Sequence, residues 1–340
     1  PPFKKRGVGV AAVFNAMGYG RGLPDSAIAK VELTAEGKIR VYCGVSDMGQ
    51  GNATAFFQIA GGVLGQENDA IELVQPDTAR TLPSGSASAG RTTYTYGNAL
   101  IQAAEELRRR IIGRAALMIL ADTVDELELL PGRVKHLKSG REIPLNILAS
   151  VMPPEDRICI SQFIMPVARD GLETGKAFRI GFPHLLFSYA AHLAAVEVDE
   201  LTGTLEVKAY LAATDAGRVL NPQSYEQQVH GAIAQGIGYA LCEEIKLEEG
   251  RILTPDLATF IIPGAMDIPD MMSISVETCE TSGPYGMKGA GEVGINGPLP
   301  AIAGALAQAC GIRVKTAPLT AERILEAMVE QQTACERKPS

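Results

Sequence analysis

Residues 29–51 read AKVELTAEGKIRVYCGVSDMGQG. Ala29, Val31 and Leu33 alternate with Lys30 and Glu32, the period of a strand with one buried face. Ala35-Glu36-Gly37-Lys38 has turn chemistry, and Ile39-Arg40-Val41-Tyr42 alternates again, so the stretch predicts a β-hairpin. A glycine-rich run follows, from Gly44 to Gly51. Between Thr54 and Leu64 the period becomes helical, with Ala55, Phe56, Ile59, Ala60 and Val63 on one side.

The same plan recurs later in the chain. His192 to Val198 reads as a strand, Glu200-Leu201-Thr202-Gly203-Thr204 as a turn, and Leu205 to Tyr210 as the returning strand. The loop Thr214-Asp215-Ala216-Gly217-Arg218 leads to a helix near Ser224 to Leu241. Asp47 and Asp215 occupy matching places. Hairpins before helices are common, and chance explains a single match. The paired aspartates favour duplication, so two related lobes, each a hairpin, a loop and a helix, are expected. The expected boundaries are 1–165, 166–332 and a polar tail, 333–340. Asn98 to Leu120 predicts a long amphipathic helix, with Leu100, Ala104, Leu107, Ile111 and Ala115 at helical spacing. A small hairpin is expected around Ser139-Gly140 and a boundary or linker at Pro153-Pro154. Pro298 to Ala309 and Thr320 to Gln331 read as helices, with Thr320 a candidate N-cap.

Composition narrows the function. A chain of 340 residues suffices for about two domains of roughly 150 residues each. The net charge of −8, the absence of Trp and the 5% aromatic content disfavour a nucleic-acid partner. Arg108-Arg109-Arg110 lies in a helical pattern and reads as a solvated face. No apolar run is long enough to cross a membrane, and no signal peptide is evident at the start. The six Cys (43, 159, 242, 279, 310, 335) form no CxxC pair, which suggests reduced, mostly buried thiols and a cytoplasmic setting. The four His (136, 184, 192, 230) show no metal-ligand spacing. His230 and the pair Met271-Met272 read as packing residues.

Walker A, GxSxG and HExxH signatures are missing. The GxGxxG match Gly289–Gly294 follows a Gly/Pro loop, not a strand, so it is no dinucleotide fingerprint. What remains is four loops of small and polar residues, each leading into a helix. They are Met48–Thr54, Pro83–Thr93, Asn221-Pro222 with Gln227–Gly231, and Gly283–Pro298. The second lacks bulk and is rich in donors, which suits an anion or a phosphate-bearing cofactor. In the fourth, Glu292 is a lone carboxylate among Gly and apolar residues; burial there would make it a stronger base. Any one such loop is more often a tight turn, and a lone Glu before a helix is often only a dipole charge. Four together favour a site.

These pieces resemble the C-terminal half of the molybdopterin-binding large subunit of the xanthine dehydrogenase family of molybdenum hydroxylases. The matching motifs are Met48-Gly49-Gln50-Gly51, Ser88–Thr93 with Gly97-Asn98-Ala99, Asp215–Arg218 with Asn221-Pro222, Gln228–Gly231 with Gln235-Gly236, and Lys288–Glu292. They occur in the family's order. The resemblance implies an α+β fold, two related lobes of hairpins and mixed sheet with packed helices, forming a molybdopterin-binding domain of the molybdenum hydroxylase type. It implies molybdopterin cytosine dinucleotide, with a sulfido or selenido ligand on Mo, held near Gln50, Gly51, Ser88, Ala89, Gly90, Arg91, Thr92, Thr93, Gln228 and Gly291. Glu292 matches the family's general base, and Tyr19 lies roughly where relatives place an aromatic over the substrate.

The family's large subunit is considerably longer, and its N-terminal half is missing here. The resemblance therefore implies an enzyme active only with partner chains. These are a second molybdopterin subunit, an Fe–S subunit and an FAD subunit, an arrangement similar to nicotinate dehydrogenase, where this chain would be the medium molybdopterin subunit. The implied reaction is hydroxylation of an electron-poor heterocycle carbon, nicotinate to 6-hydroxynicotinate for preference. Alternatives are an aldehyde, purine or aromatic-CoA substrate, or a subunit that binds cofactor without chemistry. A hydrolase using the Ser-rich loop is disfavoured, since no His stands in a nucleophile arrangement.

Overall fold

The computed structural model describes residues 3–20, 23–166 and 184–336. Strand β1 (Lys4–Ala16) opens the chain. The chain forms two compact units that exchange segments. The first holds Ala16–Phe187 and Cys279–Gly289; the second holds Pro1–Asn15, Ser188–Thr278 and Ala290–Ser340.

The first unit is built on the early hairpin. β2 (Ser26–Leu33) pairs antiparallel with β3 (Ile39–Tyr42), and Ala27, Ala29, Val31 and Leu33 are all buried, as their spacing requires. Helix α1 (Asn52–Leu64) carries the chain to β4 (Ile71–Val74), which joins β3 in parallel. Helix α2 (Thr92–Ile119) packs on β2 and α1. The five apolar residues that predict it, Leu100 to Ala115, are all buried. It starts six residues before the predicted Asn98. Thr, Tyr and Gly are weak helix formers, but the fold buries Thr92, Tyr94, Thr95, Tyr96 and Gly97. The Tyr96 hydroxyl also donates to the Tyr42 carbonyl at 2.8 Å, so tertiary contacts override propensity.

A small meander follows, of β5 (Leu127–Leu130), β6 (Arg133–His136) and β7 (Glu142–Pro144), with the expected turn at Ser139-Gly140. Helix α3 (Leu145–Val151) follows it directly. The linker expected at Pro153-Pro154 is instead a turn inside this unit. It leads straight to β8 (Ile158–Ile164), which pairs antiparallel with β2 and completes the sheet order β4-β3-β2-β8.

The second unit repeats the plan. β9 (Phe187–Asp199) and β10 (Leu205–Asp215) form the hairpin, α4 (Pro222–Leu241) follows, and a two-stranded ribbon comes next, β11 (Leu247–Glu248) with β12 (Arg251–Ile252). Then β13 (Asp270–Ser275) joins β10 in parallel, giving the order β1-β9-β10-β13. In both sheets a central antiparallel hairpin is followed by a helix and by a strand parallel to the hairpin's second strand. Helix α5 (Pro298–Cys310) and α4 share a core with β9 and β10 that includes Val196, Tyr210, Ile233, Ile237 and Ile302. Met271 packs against this core, whereas Met272, its alternate neighbour in β13, is exposed. Helix α6 (Ala321–Glu336) closes the unit, with the Arg323 N–H donating to Thr320 Oγ1 at 3.3 Å as an N-cap would. Of the expected tail, 333–336 belong to this helix and 337–340 lie outside the described residues.

Among five described thiols, Cys43 and Cys159 are buried, Cys242 and Cys310 half-buried and Cys279 exposed. No helix among the described residues is long and apolar enough to cross a membrane. The second unit depends on a close approach of β1 to α5. A Cβ on Gly9 would lie 2.0 Å from the Ala301 carbonyl oxygen and 2.3 Å from the Ala305 nitrogen. Gly9→Ala must therefore push strand and helix apart, and we expect a loss of about 1–3 kcal/mol, read as a lower urea midpoint. An unchanged midpoint would disprove this close packing.

Candidate active site

In the first unit the Ser-rich loop is organised around one buried cation. Arg91 is fully buried at the start of α2. Its Nε meets Asp25 Oδ1 at 2.6 Å, and its two terminal nitrogens donate to the carbonyls of Ser84, Ser86 and Ser26 at 2.8–3.1 Å. A guanidinium offers five donors in a fixed fork, so one side chain can draw several backbone segments together. The other oxygen of Asp25 accepts the Tyr19 N–H at 2.8 Å. The Tyr19 hydroxyl bonds Ser86 Oγ, which lies 2.7 Å from Ser88 Oγ. Burial pushes the Tyr19 phenol up, but hydrogen bonds with Ser86 and Ser88 and the nearby Arg91 charge outweigh it, so its pKa falls below the ordinary value.

Ala89 and Gly90 both adopt positive φ, 54° and 59°, which turns the loop sharply into the helix. A Cβ on Gly289 would lie 1.8 Å from the Gly90 carbonyl oxygen, so the start of the fourth loop presses directly on the second. The structure thus brings Tyr19, Ser88, Ala89, Gly90 and Arg91 together, with Thr92 buried and Thr93 half-buried in the first turn of α2. No acidic residue occupies that first turn.

Gln50 and Gly51 sit elsewhere in this unit, at the entry to α1. Gln50 turns inward: its Nε2 donates to the Ser46 carbonyl at 3.0 Å and its Oε1 accepts the Met48 N–H at 2.5 Å. Asp47 accepts the N–H groups of Gly49 and Ala53 at 2.9 and 2.8 Å. Burial raises its pKa, but these N–H groups outweigh that and hold it low. Asp215 does the same for the second glycine loop. Its Oδ1 accepts the Gly217 N–H at 2.9 Å and its Oδ2 the Thr278 hydroxyl. Each aspartate thus ties the glycine two residues on, which gives the sequence repeat a shared physical role.

In the second unit Glu292 is half-buried on a turn-rich stretch ahead of α5. Its Oε2 accepts from Asn15 Nδ2 at 3.2 Å, and Asn15 Oδ1 accepts from Asn296 Nδ2 at 3.1 Å. Gln228, on α4, donates to the Gly291 carbonyl at 3.3 Å. Beneath lies His192, fully buried, its Nδ1 3.0 Å from the Tyr210 hydroxyl. A Cβ on Gly297 would fall 2.1 Å from its ring, so the loop rests on the imidazole. Burial pushes His192 below its ordinary value near 6.5, against an upward pull from the Val293 backbone.

Sequence reasoning missed Asp25, Asn15, Asn296 and His192. Asp25 lies 66 residues from Arg91 and Asn15 lies 277 from Glu292. No local pattern marks such partners.

A sequence model described as the molybdopterin cofactor-binding domain matches residues 2–269, and the chain belongs to that family. More particularly, it fits the C-terminal half of the molybdenum hydroxylase large subunit. It is 32% identical over 330 residues to a probable xanthine dehydrogenase subunit of Bacillus subtilis (strain 168), covering 96% of this chain and 42% of that protein. It is 31% identical over 328 residues to the gamma subunit of the 6-hydroxypseudooxynicotine dehydrogenase complex of Paenarthrobacter nicotinovorans, covering 94% and 39%. Among solved structures it superposes on quinoline 2-oxidoreductase from Pseudomonas putida 86 with a TM-score of 0.81 at 24% identity, over 97% of this chain and 42% of that one. The aldehyde oxidoreductase from Desulfovibrio gigas gives 0.79 at 26%, over 97% and 33%. The chain thus spans well under half the length of these relatives.

Two outcomes test the site's architecture. Asp25→Ala leaves the Arg91 charge buried without its carboxylate, which should cost about 3–5 kcal/mol in urea unfolding; a cost under about 1 kcal/mol would contradict the central role of this pair. For His192 the folded pKa is the lower one, so its contribution is complete above about pH 6.5 and is lost as pH falls below it. Stability should fall below pH 6.5 by up to about 1.4 kcal/mol per pH unit, and His192→Gln should remove that part of the slope. Identical slopes in both proteins would refute a neutral, buried imidazole.

Proposed function

We propose that this chain is the molybdopterin-binding, base-bearing part of a molybdenum hydroxylase that acts on an electron-poor carbon of an N-heterocycle, with nicotinate as first candidate. The observation that carries the reading is family membership together with Glu292, held by hydrogen bonds on a glycine-rich loop. The probable xanthine dehydrogenase subunit and the gamma subunit of the 6-hydroxypseudooxynicotine dehydrogenase complex are relatives named for N-heterocyclic compounds, which supports that substrate class.

The residues present suit an organic, anionic cofactor. Among the described residues no group of three or more His, Cys, Asp or Glu is placed to hold a metal ion, so the donor set is one of hydroxyls, amides and backbone N–H. Asn52, beside Gly51, keeps a buried Nδ2 with no hydrogen-bond partner, a donor that a bound group could satisfy. Ser86 and Ser88 expose hydroxyls ahead of the long helix α2, whose first N–H groups lack intrahelical partners and favour negative charge. When bound, molybdopterin supplies a two-electron redox centre that couples transfer of water-derived oxygen to oxidation of the substrate carbon.

In this reading Ser88, Ala89, Gly90, Thr92 and Thr93 bind the cofactor through hydroxyls and backbone. Arg91 holds their loop in shape, since its own donors are engaged with Asp25 and three carbonyls. Gln50 and Gly51 shape the entry to α1. Gln228 and Gly291 place the loop of the base. Tyr19 presents its ring to the substrate, and Glu292 accepts the proton lost in the reaction. The cytosine dinucleotide form, a second molybdopterin subunit, and Fe–S and FAD subunits complete the proposed enzyme.

The test is metal and nucleotide analysis of the natively purified complex, with a count of its chains. We expect molybdenum near one per copy of this chain and release of cytidine monophosphate on hydrolysis. Glu292→Gln should keep molybdenum but lower nicotinate turnover by about 10²-fold or more. Full turnover in that variant rules out the base; an intact complex without molybdenum rules out the chemistry.

A further inference from the structure

The geometry points to Asn15 as a positioning residue for Glu292: locked by Asn296, its carboxamide holds one carboxylate oxygen and so aims the other. The inference rests on the reading of Glu292 as the base.

An amide side chain has one accepting end and one donating end. Asn15 Oδ1 takes the Asn296 N–H at 3.1 Å, so its nitrogen is the end that faces Glu292, at 3.2 Å. Turned over, Asn15 would set oxygen against carboxylate oxygen and N–H against N–H. The pairing therefore selects one orientation of Asn15, and with it one hydrogen-bonded placement of Glu292 Oε2.

The clasp closes because Glu292 and Asn296 stand four residues apart on a tight turn, where the Ile295 N–H donates to the Glu292 carbonyl at 3.3 Å. Both side chains reach Asn15, which lies at the end of β1. The backbone beneath is held independently. Gln228 bonds the Gly291 carbonyl, a Cβ on Gly294 would lie 2.7 Å from the Ala232 Cβ, and Gly297 rests on His192. With the backbone so held, the freedom left to Glu292 is in its own rotatable side chain, and the Asn15 hydrogen bond restricts it. A base works only within hydrogen-bond reach of the proton it takes, and a misplacement of about 1 Å costs about 10²-fold.

The experiment compares Asn15→Ala, Asn15→Asp and Asn296→Ala in the purified holoenzyme that contains this chain. One readout needs no turnover: labelling of Glu292 by a water-soluble carbodiimide with glycine ethyl ester, read by peptide mass spectrometry against exposed Glu226. The other is the division between kcat and KM at constant molybdenum content. We expect Asn15→Ala to raise labelling several-fold and to lower kcat by about 10–100-fold, with KM little changed. Asn15→Asp keeps the shape but loses the donor, so it should be at least as impaired; wild-type behaviour of Asn15→Asp overturns the proposal. Asn296→Ala should move both readouts the same way by less, and it decides the matter if Asn15→Ala does not accumulate. Unchanged labelling and kcat in Asn15→Ala overturn the tether even where Glu292→Gln is inactive. If Glu292→Gln keeps full turnover, the base reading fails, and labelling alone decides whether Asn15 holds the carboxylate.

Discussion

The buried Arg91–Asp25 pair is the constraint on which the first unit's loops depend. A charge this deeply buried is tolerable only with its counter-ion and hydrogen bonds in place. Arg91 meets that demand by drawing on Asp25, on the Ser84 and Ser86 carbonyls near the start of the Ser-rich loop and on the Ser26 carbonyl at the start of β2. The demand of one cation thereby fixes a loop of small residues that has no core of its own. Asp25 passes the constraint on to Tyr19 through its second oxygen.

Both lobes solve a related problem in the same way. A strand that leads into a glycine-rich turn exposes backbone N–H groups, and an aspartate two residues before a glycine of that turn accepts them. Asp47 ties Gly49 and Ala53, and Asp215 ties Gly217. The two sheets share an order of strands as well, each with a hairpin whose second strand gains a parallel neighbour after a helix. Shared topology and a shared loop device together support duplication better than either alone.

Most of the regular structure was legible in the chain itself. The alternation in β2 and the helical spacing of Leu100 to Ala115 both report which face is buried, and burial of one face is a local demand on sequence. The start of α2 was not legible, because Thr92 to Gly97 are helical by virtue of what they pack against. The turn at Pro153-Pro154 was misread as a linker for a similar reason. Proline marks a break in a helix or strand, but whether the chain then leaves the unit depends on β8 finding β2.

The residues with chemistry were visible as types, set in loops of glycine and small polar groups, and their order in the chain carried the family likeness. Their roles were not visible. Sequence alone determined the two hairpin-and-helix lobes, the glycine loops and a lone carboxylate at Glu292. Only the tertiary structure decided that Arg91 is spent on Asp25 and backbone carbonyls, and that Glu292 is held by Asn15. It also decided that residues 279–289 belong with the first unit and 1–15 with the second. Periodicity is a property of neighbours along the chain, whereas a hydrogen bond across 66 or 277 residues exists only once folding has brought its ends together.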